Sequence, residues 1–287
     1  MGFDASFLGV AAPMPRVNGS ADAAPAAGAG GDAGSGTPAL LDALVTLDYL
    51  HFSVVLDSAR RLARVTGVNL DGAALLDLER GDDWRLDERI PADWQAGPEI
   101  YAANDLDRGH LVRRRDPVWG TPEVAARANA DTFRYPNAAP QASEFNQSKE
   151  LWLGLEDHVL EHARVHKQRL SVFTAPVLAA GDPPYRGIRV PLRFWKIVAW
   201  RSGDELAAAA FVVDQAPLVD TSELRPPAPV PGAAPPLGPF RTFQVPVSDV
   251  AALTGLAMPE LIVADVLPPT IAAAGWRRLE SSAQIIV

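Results

Sequence analysis

The spacing of apolar residues predicts an α+β protein built on a mostly antiparallel sheet. Two stretches rich in β-branched and aromatic residues, Asp48–Leu56 and Ala63–Leu70, are separated by a short polar turn and predict strands. The same pattern predicts three later strands and, more weakly, a fourth: Leu170–Leu178, Ile188–Trp200, Leu206–Val213 and Thr242–Val247. Strands joined by short turns, with few helices between them, favour a central antiparallel sheet flanked by helices.

Two helices are predicted within this series of strands. Between Ser143 and Gln168, apolar residues recur at three- and four-residue spacing, which places them on one helical face. These residues are Leu151, Leu155, Val159 and Leu160. A shorter helix is predicted over Ser248–Leu256, with a serine or aspartate as its N-terminal cap.

The N-terminal region differs from the rest in composition. Arg16–Pro38 consists largely of Ala, Gly, Ser and Asp, so it has too little apolar surface to offset the entropy of ordering. It is preceded by Phe3, Phe7 and Leu8, whose side chains are candidates for docking against the folded part. We therefore expect residues 1–38 to be a mostly disordered, flexible N-terminal tail.

The remaining residues, 39–287, show no second segment of that kind and are predicted to form one domain. The proline-dense stretch Arg225–Pro239 lies between segments that both resemble core, so we interpret it as a long surface loop.

Composition narrows the chemistry more than it locates the protein. The 287 residues include no cysteine, which excludes disulfides, thiolate zinc sites and a cysteine nucleophile. The net charge of −9 opposes an extended nucleic-acid surface but allows a local basic site. The longest apolar run, Leu206–Val213, is too short to span a bilayer, and no basic residue precedes Phe7–Val10 as in a usual secretory signal. No membrane partner is expected, and cytoplasmic location or specialised export both stay open.

Two polar stretches carry the candidate chemistry. The first is Asn104–His110 followed by Arg113–Arg115, which combines an imidazole, several guanidinium groups and a glycine. Taken alone, a histidine beside an arginine is more often part of a solvated loop. The second stretch is Asn137–Gln141 and Phe145–Gln147, which leads into the helix that carries Glu156. Helix caps and a solvated helix face are the simpler interpretations of those residues.

Together, the two stretches supply one imidazole, one amide and one carboxylate. Oxygen and nitrogen groups of this kind suit Mg²⁺, which keeps most of its water ligands and takes few protein ligands. Mn²⁺ is the alternative metal. The histidines at 158, 162 and 166 follow four-residue spacing but lack the carboxylate of a zinc-protease motif. A solvated helix face is favoured for them.

Asp107–His110 (DRGH) resembles the signature of the DNA/RNA non-specific endonucleases, the ββα-metal or His-Me finger family that includes endonuclease G. Further motifs follow in family order over about residues 45–260. They are Arg80–Asp87, the N-x-x-P-Q segment Asn137–Gln141, the helix motif Asn146–Gln147 with Trp152 and Leu155–Glu156, Val172–Val177, Phe194–Lys196 and Ala252–Leu256. The resemblance implies a ββα-metal nuclease fold and a metal-dependent hydrolase that cuts DNA and RNA to 5′-phosphate ends.

The resemblance also implies a role for each matching residue. His110 is expected to be the general base, Asn146 the direct protein ligand of Mg²⁺, and Glu156 a ligand acting through metal-bound water. Two arginines are expected to hold phosphate oxygens and two further residues to orient their neighbours. The arginines are Arg80 and Arg108, and the orienting residues are Asp107 and Asn137.

The sequence departs from the family pattern at three places. Two additional residues separate Asn146 from Glu156. They fit a lead-in turn if the helix begins after Asn146, whereas a helix over the whole stretch would make the two side chains diverge. Leu160 stands where the family often has arginine, and Ala175 where it usually has glycine. Candidates to replace the arginine are Arg113, Arg114 and Arg164.

These departures leave other functions open. One alternative is a degenerate family member that binds nucleic acid or a partner protein without cleavage. An unrelated phosphoesterase would require a second cluster of metal ligands, which the sequence does not show. The oligomeric state is also open, a homodimer included.

Overall fold

A nine-stranded sheet forms the centre of the computed structural model, which describes residues 2–17, 24–25, 44–143, 152–219, 241–279, 281 and 284–286. The strands are β1 Arg16–Val17, β2 Ala24–Pro25, β3 Leu44–Tyr49, β4 Phe52–Asp57, β5 Leu62–Asp71, β6 Leu106–His110, β7 Ala138–Ala142, β8 Arg169–Pro176, β9 Pro184–Tyr185, β10 Ile188–Arg189, β11 Arg193–Ser202, β12 Glu205–Asp214, β13 Arg241–Val245, β14 Leu256–Ala257 and β15 Arg277–Leu279. The central sheet has the order β15-β13-β12-β11-β8-β5-β4-β3-β2. Every neighbouring pair in it is antiparallel except β2 and β3, which confirms the predicted α+β class with a mostly antiparallel sheet.

Two of the predicted strands are each divided in the structure. The prediction of one strand over Asp48–Leu56 was wrong, because β3 and β4 form a hairpin that reverses at Leu50 and His51. His51 adopts a left-handed backbone conformation (φ 68°), which the sequence does not mark with a glycine or an asparagine. The predicted strand Ile188–Trp200 is interrupted between β10 and β11, where Pro191 has no amide hydrogen for a ladder bond.

Helices flank the sheet on both sides. They are α1 Pro98–Tyr101, α2 Pro122–Asp131, α3 Trp152–His166, α4 Val247–Thr254, α5 Pro259–Val263 and α6 Pro269–Ala272. The predicted helix Ser143–Gln168 corresponds to α3, and residues 144–151 at its start lie outside the described part of the chain. In α4 the predicted side-chain cap was wrong: the residue before the helix is Pro246, which makes no side-chain capping bond, and Gly255 closes the helix with a left-handed backbone (φ 68°).

Each face of the sheet packs against its own hydrophobic core. Side chains alternate between the faces along a strand, so Phe194 of β11 joins one core and Trp195 joins the other. The first core includes Leu160 and Ala163 of α3, and the second includes Val250 of α4. Both faces are therefore covered, and α3 lies on the same side as Phe194. None of the described helices is long and apolar enough to cross a bilayer.

The first residues of the chain cover part of the second face. Phe3 packs against Phe173 of β8 with ring centroids 5.3 Å apart, and Leu8 is only 5% exposed. Room for this segment comes from Gly67 of β5, where an added Cβ would lie 3.0 Å from Met14 Cγ. Phe3 and Leu8, which lie at the start of the predicted tail and were candidates for docking, are thus packed against the folded part. The predicted boundary at residue 38 and the loop Arg225–Pro239 lie outside the described residues.

We expect Leu8→Ala to lower the free energy of unfolding by about 2–5 kcal/mol, because it removes a buried side chain from the second core. The measurement is urea unfolding followed by circular dichroism. Val165→Ala is the matched control, since Val165 is 64% exposed, and its effect should stay within about 0.5 kcal/mol. Equal losses in the two variants would contradict docking of the N-terminal segment.

Candidate active site

The predicted DRGH motif lies on a two-stranded unit that is followed by α3. Strands β6 and β7 pair antiparallel, with Asp107 opposite Gln141 and Gly109 opposite Ala139. His110 is the last residue of β6, α2 lies between β6 and β7 in the chain, and α3 is the helix that follows β7. The two paired strands and the helix after them thus contribute to one site, because His110 of β6 and Glu156 of α3 line the same cleft.

Gly109 is required by the side chain of Gln141. A Cβ at position 109 would lie 2.1 Å from Gln141 Cδ, so the glutamine side chain runs directly over the glycine. Gln141 is fully buried, and its amide nitrogen and oxygen have no hydrogen-bond partner among the described residues. This close approach fixes the spacing of the two strands immediately before His110.

Asn137 holds the chain that leaves β6. Its buried Oδ1 accepts a hydrogen bond from the Val112 amide at 2.8 Å, and its Nδ2 donates to the carbonyls of Val112 and Thr132, both at 3.0 Å. The backbone two residues after His110 is therefore tied to the start of β7. These bonds are the kind of contact through which Asn137 would orient its neighbours, as the resemblance implies.

A cleft of about 670 Å³ brings five of the seven predicted site residues together. They are Arg80, Asp107, Arg108, His110 and Glu156. Asn137 is buried and does not line the cleft, and Asn146 lies outside the described residues. Five arginines and three carboxylates line the cleft, so positive charge is in excess there although the chain carries −9. The arginines are Arg80, Arg108 and Arg113–Arg115, and the carboxylates are Asp82, Asp107 and Glu156.

His110 lies in an aromatic environment at the inner end of this cleft. Its ring centroid is 4.7 Å from that of Trp84 and 5.0 Å from that of Phe133, which it meets edge-on. Its Nε2 is buried and has no hydrogen-bond partner in the described part of the chain. Burial, and to a lesser extent the positive charges of Arg80, Arg114 and Arg108, together lower the pKa of His110 to about 3. The imidazole is therefore neutral at physiological pH and can accept a proton.

The arginines at the mouth of the cleft remain accessible. Arg108 is 3.6 Å from Asp82, its side chain is partly exposed, and its guanidinium lies over the Trp84 ring, 5.6 Å from the centroid. Arg80 is exposed. A guanidinium that is only loosely paired can bind phosphate oxygens with two hydrogen bonds.

Glu156 lies at the floor of the cleft in contact with two cations. Its Oε1 accepts a hydrogen bond from Lys196 Nζ at 2.9 Å, and its Oε2 is 3.7 Å from Arg113 Nε. Asp116 is buried close by, and burial raises its pKa to about 6 against the opposing effect of Lys196 and Arg113. Sequence reasoning assigned no role to Lys196, although a lysine within the apolar run of β11 is a signal for a buried ion pair.

The structure also answers which arginine lies near Glu156 where the family's arginine is missing. Leu160 is buried in the first core and is no part of the cleft. Of the three candidates, Arg113 and Arg114 line the cleft, whereas Arg164 is exposed and lies 3.7 Å from Asp77. Arg113 is the candidate next to Glu156.

The residues fit a Mg²⁺ ion that is held by few protein ligands. No group of three or more histidines and carboxylates able to hold a metal occurs within the described residues. Mg²⁺ commonly uses one or two protein oxygens and fills its other positions with water. Glu156 offers a buried carboxylate in the cleft, and Asn146 precedes the same helix outside the described region.

Comparison with known proteins agrees with this geometry. A family model described as DNA/RNA non-specific endonuclease matches residues 37–264. The EndoG chain in the structure of the EndoG/EndoGI complex superimposes with a TM-score of 0.55 over 74% of this chain and 84% of that chain, at 20% identity. At that identity the likeness supports the fold, a ββα-metal nuclease fold.

Two curated relatives extend beyond the chain. An uncharacterized protein, y4fB of Sinorhizobium fredii, is 38% identical over 281 residues, which are 91% of this chain and 39% of that protein. A protein named nuclease from Nostoc sp. is 29% identical over 149 residues, 52% of each chain. The chain therefore spans about two fifths and one half of the lengths of these relatives.

We expect Trp84→Ala to raise the pKa of His110 from about 3 toward its ordinary value of 6.5, because the variant opens the ring to water. The measurement is an NMR titration of the histidine ring signals, with the His110 signal assigned by its loss in His110→Ala. Trp119→Ala is the matched control, since Trp119 stacks on His51. An unchanged titration in Trp84→Ala would contradict the role of Trp84.

The sign of the effect on stability follows from the same shift. Between about pH 6.5 and pH 3 the unfolded chain binds a proton at position 110 that the folded chain does not. The contribution of His110 to the free energy of unfolding is therefore lost as the pH falls through this range. In Trp84→Ala the pKa of the folded state should lie closer to that of the unfolded state, so the pH range of this loss should be narrower.

Proposed function

The chain belongs to the DNA/RNA non-specific endonuclease family, and on that premise we propose that it hydrolyses phosphodiester bonds of DNA and RNA without strong sequence preference. His110 acts as the general base, and one Mg²⁺ ion is required. The products carry 5′-phosphate ends. The observation that carries the proposal is the neutral imidazole of His110 in an arginine-lined cleft, with an Nε2 that has no hydrogen-bond partner among the described residues.

The first step requires a base that is not already protonated. A neutral imidazole takes the proton from a water molecule as that water attacks the phosphorus. The depressed pKa of His110 supports this role, because burial keeps the ring neutral and the positive charges of three nearby arginines act in the same direction. Trp84 and Phe133 pack against the ring on two sides of its environment, with ring centroids 4.7 Å and 5.0 Å away.

Arg80 and Arg108 bind the phosphate on which the water acts. As negative charge builds up on the phosphoryl oxygens, fixed guanidinium groups in a shielded cleft stabilise it more than water does. Arg108 is pre-oriented by Trp84 and Asp82, whereas Arg80 is exposed at the cleft edge. Arg113 lies beside Glu156. It would contact phosphate in place of the family's arginine, a role that the buried Leu160 cannot fill.

Asn146 would hold the metal directly, and Glu156 would hold it through water. When bound, Mg²⁺ neutralises charge on the scissile phosphate and on the leaving 3′-oxygen. Binding through phosphate, arginine and metal gives little information about base sequence. That is consistent with action on both DNA and RNA, and with a basic site confined to the cleft.

His110→Ala should fold and reduce cleavage by about 100-fold or more, because a general base is lost. The measurement is cleavage of supercoiled plasmid and of total RNA, in Mg²⁺ and in EDTA. His166→Ala, which changes an exposed histidine at the end of α3, serves as control and should cleave like the wild type. Cleavage at the wild-type rate by the His110→Ala protein would exclude His110 as the general base. Intact substrates in every divalent metal would instead favour a family member that binds without cleaving.

Asn146→Ala should raise the Mg²⁺ concentration needed for half-maximal cleavage, because the direct protein ligand is removed. The measurement is a metal titration of plasmid nicking at constant ionic strength. A titration curve that superimposes on that of the wild type would exclude Asn146 as the ligand.

A further inference from the structure

A lysine lies within a run of buried residues in β11. Lys196 is 1% exposed, and its neighbours in β11, Trp195 and Ile197, are fully buried. Removing an ammonium group from water costs several kcal/mol unless a partner of opposite charge compensates it. The position therefore requires an acidic partner within the core.

The helical pattern of α3 brings that partner to the lysine. Leu160 and Ala163 lie in the first core, and Glu156 precedes Leu160 by four residues, so it falls on the same inward stripe. Lys196 alternates with Trp195 and therefore points to the same side of the sheet as Phe194, another residue of the first core. A carboxylate at an inward helix position thus meets an ammonium at an inward strand position.

The contact engages the two carboxylate oxygens of Glu156 unequally. Lys196 Nζ is 2.9 Å from Oε1, within hydrogen-bond distance, whereas the contact of Oε2 with Arg113 Nε is 3.7 Å. Glu156 is 8% exposed and lines the cleft that holds His110. Oε1 is thus held by the lysine, whereas Oε2 has no partner at hydrogen-bond distance among the described residues.

Stability alone does not account for this pair. A buried ion pair often adds nothing over well-packed apolar residues of the same volume. By contrast, partners that orient a metal-binding group commonly change metal affinity by about 10- to 100-fold when they are removed.

We propose that Lys196 is a positioning residue, which fixes the carboxylate of Glu156 so that its second oxygen holds a water ligand of the metal. The proposal rests on the proposed function, because it assumes a metal beside Glu156. A purely structural lysine would affect folding and leave metal affinity unchanged.

The test compares Lys196→Met with Lys167→Met, which alters an exposed lysine just after α3. The probe is Mn²⁺, whose binding is followed by electron paramagnetic resonance without any turnover. We expect the Mn²⁺ dissociation constant to rise about 10-fold or more in Lys196→Met and to stay unchanged in Lys167→Met. Wild-type affinity in a folded Lys196→Met protein would overturn the proposal.

The double variant Glu156→Gln/Lys196→Met shows whether the lysine acts through the glutamate. Added to Glu156→Gln, the Lys196→Met change should have little further effect on Mn²⁺ affinity. A full additional loss would mean that Lys196 acts elsewhere and would overturn the proposal. If Lys196→Met does not fold, Lys196→Leu also removes both the charge and the hydrogen-bond donor, and it is measured in the same way with the same expected loss.

The outcomes separate this proposal from the proposed function. A wild-type protein that neither binds Mn²⁺ nor cleaves would overturn both. A wild-type protein that binds Mn²⁺ and cleaves, together with a Lys196→Met protein of unchanged affinity, would overturn only the role of Lys196.

Discussion

The need to cover both faces of one antiparallel sheet governs the arrangement of the whole molecule. Strands β8 and β11 are buried on both sides, so their buried apolar residues divide between two cores. The first face is covered by α3 and the segments around β6 and β7, and the candidate active site lies on that side. The second face is covered by α4 and by the N-terminal residues. The alternation of side chains along a strand therefore determines which residues face the candidate active site and which face the other core.

In the candidate active site, the same burial that makes the core stable changes the protonation and pairing of ionisable groups. His110 is kept neutral because its ring is withdrawn from water among aromatic side chains and near positive charge. Glu156, in contrast, meets a buried ammonium group and so does not face an apolar surrounding alone. A carboxylate and an imidazole in one cleft are thereby prepared for different tasks, and their surroundings rather than their chemical type make the difference.

The fold class and several residues that line the cleft could be predicted from the sequence, because both depend on patterns within short stretches of the chain. Periodicity marked β5, β8, β12 and α3, and the DRGH motif marked His110 together with its adjacent arginine. The hairpin at His51 could not be predicted, because its turn has a positive φ at a histidine, a residue type that does not indicate such a conformation. Contacts between distant elements were equally out of reach. The pairing of Lys196 with Glu156 joins residues 40 positions apart, and no local pattern encodes that distance.

The docked N-terminal segment has a consequence for how the domain is delimited. The family model begins at residue 37, yet Phe3 and Leu8 belong to the second core. A fragment cut to the family boundary would present a bare apolar sheet surface around Phe173. Exposed surfaces of that kind promote association between molecules. Such a fragment would therefore be prone to aggregate in solution even if its catalytic cleft were intact, and poor solubility of a truncated domain would say nothing about its chemistry.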